Sequence, residues 1–145
     1  MTPTAPLHPP TYNRLLDDLT ADSAVRVIER TIAGLAKRGA TPPTGSRLHQ
    51  AKEAILTLAE SPRLAQPGSV ARRLHAEAHR VALEFSMIAA ALNPHRRLDS
   101  LLHEKLQRSF TGTLDPMGPS EQSQRARDIQ FELYLGAWFA IGGRP

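Results

Sequence analysis

Residues 69–92 read SVARRLHAEAHRVALEFSMIAAAL. Leu74, Ala78, Val81, Phe85, Ile88 and Leu92 recur there at steps of 4, 3, 4, 3 and 4. That spacing keeps them on one side of a helix, in a heptad-like seam suited to antiparallel packing. Ser69 can cap the first turn, and Asn93-Pro94 breaks the chain at the other end. A helix with so long an apolar seam needs neighbours to cover it. The stretch therefore sets the fold class: an all-α bundle.

The flanking sequence supplies those neighbours. Upstream, Ser46 caps a helix that ends near Ser61, ahead of Pro62, with Leu48, Ala51, Ile55 and Leu58 inward. Before it, a helix from about Asp22 to Arg38 carries Val25, Ile28, Ile32 and Leu35, and Gly39 stops it. Thr11 to Leu19 reads as a short helix with Tyr12, Leu15, Leu16 and Leu19 on one face. Residues 1–10 hold prolines at 3, 6, 9 and 10 and read as an extended arm. Downstream, Pro94 opens a helix ending near Phe110, with Leu98, Leu101, Leu102 and Leu106 apolar. After a Gly/Pro loop, Ser120 starts a last helix over about 121–141. No segment alternates with period two over a strand length, and no repeat is visible. The expectation is five or six mainly antiparallel helices in one domain, residues 11–145, behind a Pro-rich arm.

Composition narrows the chemistry. The 145 residues are 41% hydrophobic and 22% charged, a globular balance. Cysteine is absent, which excludes disulfides and thiolate metal sites. No apolar run approaches the roughly 20 residues of a membrane span, so no membrane partner is expected. Residues 1–10 lack the pattern of a signal peptide, and a cytoplasmic location is expected.

The net charge of +4 is concentrated in residues 63–110, where eight basic groups face four acidic ones. Arg72, Arg73, Arg80, Arg96 and Arg97 lie there and are candidate phosphate contacts for nucleic acid. The competing reading is a solvated face, with Glu77 pairing Arg73 and Arg80. A helix-turn-helix is disfavoured, because residues 61–68 carry two prolines and are too long for its turn. Arg96 and Arg97, at the start of the next helix, would stand roughly 30 Å from Arg72 and Arg73. Two patches are therefore as natural as one.

His75 and His79, four apart, make half of a metal site. Glu does not follow His75, and Glu-x-x-His does not occur, so no metal and no cofactor is expected. Serine elbows and phosphate loops are missing too. No catalytic residue is assigned, and no enzymatic activity is expected of this chain alone.

The last helix departs from the rest. Between Phe131 and Ile141 only Glu132 is charged, and four of the chain's seven aromatics fall at 131–139. A helix apolar on every side must be surrounded. Either it is the central helix of the bundle, or Phe131, Leu135, Trp138 and Phe139 form an interface to something outside it. Glu132 has no cation three or four residues away.

The run Arg125-Ala126-Arg127-Asp128-Ile129-Gln130-Phe131-Glu132-Leu133, then Ala137-Trp138-Phe139-Ala140 and Gly142-Gly143, resembles the entry helix of a restriction-endonuclease-like nuclease core. The resemblance covers about residues 125–143. It implies that Glu132 matches an acidic position near that family's active site. The metal-binding strands would follow in a longer protein, of which this chain would be the helical N-terminal region. Two functions are then expected in competition. One is a non-catalytic accessory or targeting domain of a nuclease-like protein, touching nucleic acid through the basic middle segment. The other is a structural interaction bundle that self-associates through its last helix.

Overall fold

A computed structural model describes residues 21–92, 98–115 and 121–142. The arm at 1–10, the short helix expected at 11–19, and Arg96 and Arg97 lie outside the described residues. Among the described residues five α-helices follow one another: α1 (Ala21–Lys37), α2 (Arg47–Glu60), α3 (Val70–Ala91), α4 (Ser100–Ser109) and α5 (Glu121–Gly142). A single 3-10 turn, Pro62–Leu64, separates α2 from α3. No strand occurs among the described residues. The all-α bundle expected from the seam at 74–92 is what forms.

Local chemistry sets the boundaries. Gly39 has φ 84°, the left-handed geometry that ends α1. Ala40 N–H then reaches back to Leu35 O at 2.9 Å, and Gly39 N–H to Ala36 O at 3.0 Å. Ser46 Oγ accepts from His49 N–H, and Ser69 Oγ from Arg72 N–H, capping α2 and α3. Ser61 closes α2 directly ahead of Pro62.

The fourth helix needs a correction. It begins at Ser100, not at Pro94, because Asp99 caps it by accepting from Leu102 N–H at 2.8 Å. That start directs Leu106, Ser109 and Phe110 inward and leaves Leu101 63% exposed, against the expectation that Leu101 faces the core.

Side-chain contacts tie neighbouring helices together. Lys52 meets Glu29 across α1 and α2, and Lys105 meets Glu132 across α4 and α5. Arg38 at the end of α1 donates to Leu92 O at the end of α3, so those two run parallel. The core gathers around α3, which packs against α1, α2 and α5. Val81, Phe85 and Ile88 of α3 are buried with Ile28, Leu35, Leu48, Ile55, Leu106 and Phe110. The Phe85 and Phe110 rings lie 5.5 Å apart. The central helix is therefore α3, and the expectation that the last helix might hold that place is corrected.

The segment after α4 fixes where α5 begins. Gln50 of α2 donates to Gly112 O at 2.9 Å and accepts from Leu114 N–H at 2.8 Å. Ser123 of α5 accepts from Thr113 N–H at 2.8 Å. Arg127 donates to the carbonyls of Thr113 and Asp115. One amide, one hydroxyl and one guanidinium thus tie residues 112–115 to α2 and to the start of α5.

Candidate interaction surface

The inner face of α5 is made of small and polar groups. Ser123, Ala126, Gln130 and Ala137 are the buried positions, at 0%, 1%, 3% and 5% exposure. Small side chains let α5 lie close to α3, and they leave no inward room for its bulky groups. Leu133 and Tyr134 reach the core only in part. The large side chains point away. Phe131 is 45% exposed, Leu135 39%, Trp138 37%, Phe139 63% and Ile141 49%. Phe131, Leu135 and Trp138 follow steps of 4 and 3 along one side of α5, with Phe139 next to them. Trp138 and Phe139 meet edge to face at 5.5 Å between centroids. All four residues expected at an interface are brought to one surface.

The expected phosphate contacts are not gathered in the same way. Arg73 grips Asp115 with two bonds, Nε to Oδ1 at 3.0 Å and Nη2 to Oδ2 at 2.9 Å. That hydrogen bonding raises the Arg73 pKa above its ordinary value. Arg80 Nε lies 3.4 Å from Glu84 Oε2. Arg73 thus turns to Asp115 at the end of the α4–α5 segment, and Arg80 to Glu84 on its own helix. Arg72 is exposed at the start of α3. Glu132, lacking a cation on its own helix, receives one from α4: Lys105 Nζ stands 2.7 Å from its Oε1.

Between α3 and α5 lies a polar seam that sequence reasoning missed. Glu84 is buried at 2% exposure and accepts from Gln130 Nε2 at 3.1 Å. Burial pushes its carboxyl up to about 7, against the pull of Arg80. A cleft of about 250 Å³ opens there, lined by Glu77, Arg80, Glu84, Arg127, Asp128 and Gln130 among others. Arg47, fully buried, donates Nη2 to Ser109 O at 2.7 Å, while its Nε and Nη1 meet no partner. Burial, and then the neighbouring Arg127, lower its pKa to about 10. A signal for both residues was present in the spacing. Arg47 precedes Ala51 and Ile55 at steps of 4, and Glu84 falls between Val81 and Ile88 at steps of 3 and 4. Each is a charge written into an apolar stripe.

Comparison with protein families, curated proteins and solved structures finds no match for this chain. The reading of the surface therefore rests on its own geometry.

Proposed function

We propose that this chain is a structural interaction bundle that pairs with a second copy of itself through the outer face of α5. The observation that supports it is the inverted packing of that helix, small groups inward and aromatics outward. The four bulky side chains of the stripe present on the order of 400 Å² of largely apolar surface per copy. Two such faces together cover roughly 800 Å² and, with a polar rim, approach the lower range of specific interfaces, about 1,200 Å². A single helix offering the same stripe twice suits an isologous, two-fold contact. Trp138 and Phe139, as large aromatics in the middle of the stripe's C-terminal half, are its anchors.

Sedimentation of the full chain at micromolar concentration tests this. The expected result is a dimer that Phe139→Asp converts to a monomer with unchanged far-UV circular dichroism. A wild-type monomer throughout that range would overturn it.

The accessory role of a nuclease-like protein remains the second reading, and exposed Arg72 favours it. It requires Arg73 and Arg80 to exchange carboxylate for phosphate. Salt-sensitive binding of a DNA or RNA duplex, weakened in Arg72→Ala, is its expected signature.

A further inference from the structure

We propose that His75 and His79 form a two-histidine chelate for a late first-row divalent transition-metal ion, copper(II) above nickel(II). The pair sits one turn apart on α3 with the two Nε2 atoms 3.1 Å from each other. The ring centroids are 4.4 Å apart and the planes are inclined by 60°. Metal–imidazole bonds are about 2.0–2.1 Å long, so nitrogens at this separation subtend about 100° at a shared ion. That is a cis angle for a tetragonal or octahedral centre, the geometry of copper(II) and nickel(II).

In the metal-free pair one Nε2–H donates to the other ring. An ion bound by both Nε2 lone pairs takes the place of that proton, which returns to Nδ1 of the same ring. Both rings stay neutral, so binding releases no net proton. Nδ1 of His79 is buried without a partner already, so this tautomer adds no new unmet position on that ring. His79 is almost fully buried, while His75 is half-buried and gives the ion its way in. Among the described residues no cluster of three or more His, Asp or Glu surrounds an ion site. In the proposed site water completes the coordination, which makes the ion exchangeable.

The experiment titrates the full chain with copper(II) chloride at pH 7. Electron paramagnetic resonance follows the metal, and proton NMR follows the histidine rings. The expected result is one ion per chain that broadens the His75 and His79 ring signals. In His75→Gln, affinity falls on the order of tenfold or more while far-UV circular dichroism is unchanged. Nickel(II) follows the same pattern more weakly. Copper affinity in His75→Gln within twofold of wild type would overturn the proposal. So would a wild-type titration that leaves both ring signals sharp. His79→Gln is the second variant, and His75→Gln alone decides if that buried position does not tolerate the change.

Discussion

Helices α3 and α5 are each 22 residues long and pack side by side, yet they solve opposite problems. In α3 the large apolar groups Val81, Phe85 and Ile88 go inward, and charges such as Arg72 and Arg80 go outward. In α5 the inward positions are Ser123, Ala126, Gln130 and Ala137, and the aromatics go outward. Apolar content alone thus does not say which helix is the core. The size of the residue at each inward position does, because close approach of two helices needs small groups on at least one of them.

The largest expected effect breaks this comparison at one stroke. Phe85→Ala should destabilise the fold by about 3–5 kcal/mol, as a large-to-small change in a packed core does. Phe139→Ala, the same chemistry on α5, should leave the stability of the monomer nearly unchanged and weaken assembly instead. Urea denaturation of both variants, with sedimentation of the second, checks the contrast. Equal losses of stability would mean that α5 is as deeply embedded as α3.

A second effect concerns the polar seam where the two helices meet. Glu84 titrates near 7 instead of 4.5, raised by burial. Its contribution is fully present below about 4.5 and is lost as pH rises through 7, on the order of 3 kcal/mol. His79 works in the other direction. Burial, then His75, depress it from 6.5 to about 4, so its contribution is present above 6.5 and is lost as pH falls through 4. The two slopes oppose each other through the mildly acidic range. Glu84→Gln should remove one of them, leaving stability that climbs steadily as pH rises from 4 to 6.5. Urea midpoints across that range measure it, and a profile identical to wild type would refute the assignment to Glu84.

Much of this was legible beforehand, for reasons that differ by element. The caps Ser46 and Ser69 and the stop at Gly39 are local signals, settled by residues within one turn. The α3 seam is periodic, so its burial follows from spacing. The start of α4 was not legible, because Pro94 reads as a competent opening and only the structure shows Asp99 capping the helix at Ser100. The α5 aromatics were marked out, but their direction depends on packing against α3. Glu84 and Arg47 stayed hidden because a charge inside an apolar stripe reads as a surface group until the helices are assembled.

A third, smaller effect tests what sets α5 in its place. Gly112 has φ 87°, and a Cβ there would collide with Ser123 of α5. Gly112→Ala should therefore cost about 2 kcal/mol, from backbone strain and displacement of Ser123. The denaturant midpoint reads it. A loss below about 0.5 kcal/mol would show that Gln50 and Arg127 hold α5 without help from this close approach.

The smallest expected effect falls on Glu132, the one charge between Phe131 and Ile141 of α5. Its side chain is 61% exposed and its partner Lys105 is 34% exposed. Water screens such a pair, and holding two long side chains in one geometry costs entropy, so the net gain is about 0–1 kcal/mol. Glu132→Gln keeps the shape and removes the charge. Its stability should therefore fall within that range, and the loss should shrink further in high salt. The dimer should respond more than the fold does, because Glu132 follows Phe131 on the same surface. Lys105 balances Glu132 in the wild type, so a neutral residue there leaves Lys105 as a like charge beside each of two identical faces, and sedimentation should show equal or weaker association. A tighter dimer in Glu132→Gln would mean instead that burying the Glu132 carboxylate costs the α5 interface more than the unpaired Lys105 does.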